Sequence, residues 1–226
     1  QRLGPFDVRR DGGLNNRFEM GQLRTNGLLV QLADGTRLDV LPADNTLDLS
    51  VRNAAYEGDL FGPGTATQLT PWTRPNINGY THYPGDYEPS WQAIDNIRYL
   101  PGSADTMVFD YVPDFRHRPV VRTASWIGDE TEGYTFEQKV VVKRGTTLHL
   151  GTTLTFSKGL HIEPDATVII EENALITLAS ESVLDMARGA TVQVVGHLQM
   201  DGLLKPAAGA HLKTHNLGMI SVSLNR

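Results

Sequence analysis

One box of six residues recurs four times in the second half of the chain, and it restricts the fold more than any other feature. The copies are Gly145-Thr146-Thr147-Leu148-His149-Leu150, Asp165-Ala166-Thr167-Val168-Ile169-Ile170, Gly189-Ala190-Thr191-Val192-Gln193-Val194 and Gly209-Ala210-His211-Leu212-Lys213-Thr214. Each reads as a turn residue, a small residue, Thr or His, an aliphatic, any residue, then an aliphatic or Thr. Their starts lie 20, 24 and 20 residues apart. Shorter runs of the same kind sit between them, at Gly151 to Phe156, Gly159 to Ile162, Asn173 to Leu178 and Gly196 to Met200. Each run alternates with period 2, as a half-buried strand does, and each is bounded by residues that tolerate positive φ.

Three short strands per roughly 20-residue period are the pattern of a β-solenoid. Leu148, Leu150, Leu154, Phe156, Val168, Ile170, Ile176, Leu178, Val192 and Val194 are expected to point inward, and Thr147, Thr155, Thr167, Thr177 and Thr191 outward. An antiparallel sandwich also yields short strands and Gly turns. It does not require the repeated small-Thr-aliphatic box, which decides for the solenoid. The run from Val140 to Gly202, above all GTTLHLGTTLTFSKGLHIEPDATVII, resembles the right-handed parallel β-helix repeats of secreted bacterial surface proteins and of phage tail spikes and fibres. The resemblance implies an extracellular, cell-surface or virion setting.

Composition divides the chain. Of 17 aromatic residues, 16 lie at or before Phe136, and 10 of 12 prolines precede position 120. The expected fold is therefore all-β. An irregular aromatic-rich β domain covers residues 1–134, and a short β-solenoid of about four coils covers 135–226. In the first part, Asn26 to Leu32 and Arg37 to Leu41 flank an Asp34-Gly35 hairpin turn, and Thr46 to Arg52 alternates as a strand. Residues 61–89 carry too much proline for regular structure and read as a long loop. Trp91 to Tyr99 is expected to form a helical turn or two, and Met107 to Val112 and Pro119 to Ile127 are expected strands.

Chemistry is sparsely marked. The 20 Lys+Arg against 26 Asp+Glu give a net charge of -6, no global attraction for nucleic acid or an anionic membrane. No apolar run reaches the length of a membrane helix, so no membrane insertion is expected. There is no cysteine, hence no thiolate site or disulfide. The chain starts at Gln1, not Met, and so reads as processed or as a piece of a longer one. Trp72, Tyr80, Tyr83, Tyr87 and Trp91 form an aromatic set, read first as core or interface and second as a carbohydrate platform. Asp110 with Asp114, Asp129 with Glu130, or Glu171 with Glu172 are conceivable glycosidase pairs, although Glu171 and Glu172 read more simply as solvated. His149, His161 and His197 read as surface residues, His211 and His215 are too strand-like to converge on an ion, and Asp44, Asn45 and Asp48 match no calcium loop. No catalytic residue, metal or cofactor is expected.

The last coil lacks a polar cap. Leu217, Met219, Ile220, Val222 and Leu224 run almost to the final residue, an open edge able to pair with another chain. The functional expectation is a structural, non-enzymatic, self-assembling protein of an extracellular or virion appendage. Its main partner is itself, in an oligomer or filament. A glycan-binding or glycan-cleaving adhesin, with surface glycans as partners, is the alternative.

Overall fold

Three parallel sheets of five strands each wind through residues 120–222 of the computed structural model, which describes residues 61–74, 76–77, 79–80, 87–88, 90–103, 106–128 and 131–223. Every coil contributes one strand to each sheet. Coil 1 holds β5 (Val120–Val121), β6 (Ser125–Ile127) and β7 (Tyr134–Phe136). Coil 2 holds β8 (Val140–Val142), β9 (Thr147–Leu150) and β10 (Leu154–Phe156). Coil 3 runs through β11 (Gly159–Ile162), β12 (Thr167–Ile170) and β13 (Leu175–Leu178), and coil 4 through β14 (Val183–Met186), β15 (Thr191–Val194) and β16 (His197–Met200). Coil 5 is β17 (Leu203–Pro206), β18 (His211–Thr214) and β19 (Met219–Val222). The fold is thus all-β, with a parallel β-solenoid of about five turns. Parallel pairing begins at Val120, upstream of residue 135 where the repeat first becomes legible. Coil 1 carries no small-Thr-aliphatic box, and its strands are spelled with Trp126 and Tyr134.

The repeated box marks one corner of the coil. Thr146, Ala166, Ala190 and Ala210 each donate a backbone N–H to the carbonyl three residues earlier, at 3.0–3.2 Å. The third residue of each turn, Gly145, Asp165, Gly189 or Gly209, has φ of 68°, 60°, 76° or 79°. A positive φ at that one position is the type II arrangement, and Pro164 takes the place such turns favour for proline. The small residue that follows lies under the next coil and is fully buried at Ala166 and Ala190. At the next corner the loop shortens to Val195-Gly196. A Cβ on Gly196 would stand 2.1 Å from the Glu171 carbonyl oxygen, so only glycine lets coil 4 settle onto coil 3 there.

Inward positions stack in register. Leu148, Val168, Val192 and Leu212 form one column, and Phe136, Phe156, Leu178, Met200 and Val222 another. From coil 2 to coil 4 these side chains are almost wholly excluded from water. The Phe136 and Phe156 rings stack with centroids 5.0 Å apart. Burial alternates along nearly every strand here, so one slip in register would exchange the core face for the solvent face.

The first coil is covered. Trp72, 1% exposed, sits edge-on to Phe115 at 4.9 Å and to Phe136 at 5.4 Å. The Trp126 N–H donates to the Trp72 carbonyl at 2.7 Å, and Thr73 bridges Ser125 antiparallel. Beside this plug, β3 (Ala93–Tyr99) and β4 (Met107–Val112) form an antiparallel hairpin, so the helical turn expected at Trp91 to Tyr99 is a strand. Backbone bonds in both directions between Ile94 and Leu69 hold it extended, and Asn96, at φ 55°, takes up the irregularity between Asp95 and Arg98. Buried Gln68 and Asp95 tie hairpin to solenoid. Gln68 donates to Asp95 at 3.1 Å and to the Val120 carbonyl, while Arg122 donates to Asp95 at 2.9 Å and to Gln68 Oε1 at 2.9 Å.

Contacts divide the chain into Gln1–Ala66 and Thr67–Arg226. Of the first unit only 61–66 is described, a turn in which the Gly62 N–H donates to the Ala66 carbonyl at 3.0 Å. The hairpin at 26–41, the strand at 46–52 and the weighed calcium residues Asp44, Asn45 and Asp48 lie outside the described residues. Two short strands, β1 (Gly79–Tyr80) and β2 (Tyr87–Glu88), pair antiparallel within the proline-rich stretch.

Candidate functional site

The exposed large apolar side chains of the described residues fall into two groups. The first is the outer face of the hairpin. Strand alternation in Met107-Val108-Phe109-Asp110-Tyr111-Val112 sends Met107, Phe109 and Tyr111 to one side, where Phe109 and Tyr111 are each 57% exposed. Tyr99 stands opposite Met107 and Ile94 opposite Tyr111, with exposed Leu100 at the hairpin end. The other side of the hairpin places Asp95 across from Asp110, a repulsive arrangement unless each charge is answered. Arg122 answers Asp95, and Arg98 and Asn96 bond Asp110 at 3.2 and 2.9 Å. Neither tryptophan nor proline density marks this surface in the sequence. The period-2 run at 107–112 was the available signal.

The second group is the last coil. β17, β18 and β19 each end their sheet and pair on one side only. Leu203, Leu217, Met219 and Val222 are exposed, Leu217 by 87%, and Ile220, Leu212 and Leu204 are only partly covered. The open edge expected from Leu217, Met219, Ile220 and Val222 is therefore present among the described residues; Leu224 lies outside them. Lys205 and Lys213 are the charged residues here, and residues 202–223 contain no Asp or Glu.

The tryptophans are engaged. Trp72 belongs to the core and offers no surface for a ligand. Trp91 stacks on Tyr134 at 4.8 Å, and the Arg116 guanidinium lies 5.7 Å from its ring. Trp91 also has φ 53°, an uncommon conformation for a bulky residue, held where its carbonyl accepts from the Phe115 N–H. Trp126 stacks on His149 at 5.2 Å, with Arg74 5.3 Å from its centroid. Tyr80 and Tyr87 are backbone register partners in the β1–β2 pair, and Tyr83 lies outside the described residues. The structure does not join Trp72 and Trp91 into one exposed platform.

Polar residues on the solenoid faces pair between successive coils. His149 Nδ1 meets Glu171 at 2.8 Å, His161 Nδ1 meets Asp185 at 2.9 Å, and His197 Nε2 meets Ser221 at 2.9 Å. Lys143 reaches Glu163, and Lys158 reaches Glu181 at 3.2 Å. Glu171 is thus partnered, contrary to the solvated reading, because one turn of the coil sets Ile169 beside His149 and Glu171 follows two residues later. Partial burial pushes the Glu163 carboxyl up, but the hydrogen bonds from Lys143 and the Arg144 N–H outweigh it and hold its pKa below the ordinary carboxylate value. His211 and His215 are exposed, and among the described residues no three His, Asp or Glu side chains group to hold a metal.

Asp110 and Asp114 are each held by a different arginine, Arg98 and Arg116. Asp114 receives Arg116 through both oxygens at 2.8 Å, and that bond holds its carboxyl down to about 2. An NMR titration should place the Asp114 midpoint near that value. Because the folded-state pKa is depressed, the contribution of the pair is present above the unfolded value of about 3.9 and is lost as pH falls through the folded one. A midpoint near 4 would show that the bond does not persist in solution. Asp129 and Glu130 lie outside the described residues.

No protein-family model matches the chain, and no curated protein or solved structure matches it at a significant level, so its own geometry is the basis for reading its function.

Proposed function

We propose that the chain is a structural, self-assembling protein of an extracellular or virion appendage, with the solenoid as a rigid body and its last coil as an assembly surface. The observation that carries this is coil 5. Three edge strands with free backbone groups surround a partly uncovered apolar core end, and an edge of that kind pairs with another chain unless something covers it. The likeness of Val140 to Gly202 to the β-helices of bacterial surface proteins and tail fibres supports the setting. The glycan-directed alternative draws less support, because the described tryptophans are buried or stacked and the weighed carboxylates Asp110, Asp114 and Glu171 have cationic or imidazole partners.

Sedimentation of the intact chain at micromolar concentration should show a species larger than the 24.9 kDa monomer. Removing residues 217–226 should dissociate it while coils up to residue 208 stay folded by circular dichroism. A well-behaved monomer for the intact chain would overturn the reading.

A further inference from the structure

One strand edge in the interior of the chain is unpaired, and its residues are arranged to meet a copy of themselves. The β3 side of the hairpin is closed. Leu69 and Ile94 exchange both backbone bonds there, and the Ile97 N–H donates to the Thr67 carbonyl at 2.9 Å. On the outer edge of β4 no backbone bond is made among the described residues. Because Ile94 turns its N–H and C=O toward Leu69, its register partner Tyr111 turns its own away from β3. At the other end the Leu100 N–H donates to the Thr106 carbonyl, so the neighbouring Tyr99–Met107 pair is again of the unbonded kind. The irregularity sits in β3, where the stretch from Asp95 to Arg98 answers the shorter one from Asp110 to Val108, and β4 stays regular. Met107, Phe109 and Tyr111 therefore all present N–H and C=O outward, and their side chains share the exposed apolar face.

Edge strands are commonly shielded by a lysine, a proline or a bulge. Met107–Val112 contains none of these, since Pro113 follows the strand. Its one charged residue, Asp110, stands on the opposite face and is bonded to Arg98 and Asn96. A two-fold axis at Phe109 would set Phe109 against Phe109 of another copy and Met107 against Tyr111. All three outward residues then exchange both bonds, the apolar side chains stay on one face, and Asp110 falls opposite Val108. An axis at Asp110 instead opposes like charges and brings Met107 to Pro113, which has no N–H. An axis at Val108 leaves Tyr111 without a β4 partner.

We infer that β4 pairs antiparallel with β4 of a second copy about a two-fold axis at Phe109. The contact is a form of self-association, as in the reading above, but it rests on an internal strand and not on the last coil. A single strand pair is a small interface, below about 1,200 Å² in total, so the contact is weak and position-specific cross-linking reads it best.

The chain has no cysteine, so an introduced one reports the register. Full-length Phe109→Cys places two sulfurs across a bonded pair with Cα atoms about 5.5 Å apart, and mild oxidation should give a cross-linked dimer. Two copies of residue 111 lie four residues apart along the strands, about 13 Å, so Tyr111→Cys alone should stay uncross-linked. A mixture of Tyr111→Cys with Met107→Cys should cross-link. Adding Phe109→Lys to both members, which opposes like charges at the axis, should cut that yield at least about tenfold. Residues 107, 109 and 111 are exposed, so melting of each variant should match the unaltered protein. Leu217→Ser with Met219→Ser, both at exposed positions of the last coil, should leave the Phe109→Cys cross-link unchanged. No cross-link at residue 109, or equal cross-linking at 109 and 111, overturns the inference and leaves the last-coil reading untouched. Loss of the cross-link in the Leu217 and Met219 background also overturns it, because the contact then belongs to the last coil. If residue 109 cross-links while removal of residues 217–226 leaves the assembly size unchanged, the last-coil reading fails and this inference stands.

Discussion

Val192→Asp should unfold the solenoid at ordinary temperature, whereas Thr191→Asp, one position earlier, should leave it folded. Val192 is 2% exposed and lies in the column between Val168 and Leu212. A carboxylate there has no cation and no hydrogen-bond donor of the core to meet, so the change costs about 4 kcal/mol or more, a large part of the stability of a domain this size. Thr191 points the other way on the same strand, beside Thr167 and His211. A carboxylate there stays hydrated and beside a histidine, and its cost should be within about 1 kcal/mol. Urea denaturation followed by circular dichroism separates the two cases. Equal damage at both positions would contradict the alternation on which the three sheets depend.

Trp72→Ala should be the second severe change, at about 3–5 kcal/mol, the usual range for deleting a buried large aromatic. The ring fills the space between Phe115 and Phe136, and its removal opens coil 1 to water. Trp72→Phe should be much milder. It keeps an aromatic edge in the same place and removes an indole N–H that is buried without a partner among the described residues. Thermal melts of both variants check the pair. Similar losses from Ala and Phe would mean that the indole itself, not the filled volume, holds the plug.

Coils 2 to 5 were legible in the sequence because each structural demand recurs with the coil. A corner that needs positive φ calls for Gly or Asp, the close-packed site after it calls for Ala or Thr, and alternation then assigns Leu148, Val168 and Val192 to the core. Coil 1 was legible as strand at Pro119 to Ile127 but not as a coil of the repeat, since it meets a different neighbour. On the side away from coil 2 its strands meet Trp72 and Thr73 rather than another coil, and Tyr134 stacks on Trp91, so Ser125, Trp126 and Tyr134 replace the repeat's residues. The open edge at Leu217 to Val222 was likewise written in a run of apolar residues without charge. Tertiary structure alone decided what depends on distant partners. Trp72 became core because Phe115 and Phe136 close around it, β3 became a strand because Leu69 bonds Ile94, and Glu171 found His149 because one coil turn sets Ile169 beside His149 and leaves Glu171 within 2.8 Å of it. Local pattern determines which way a side chain points, but the winding of the coil determines what it meets.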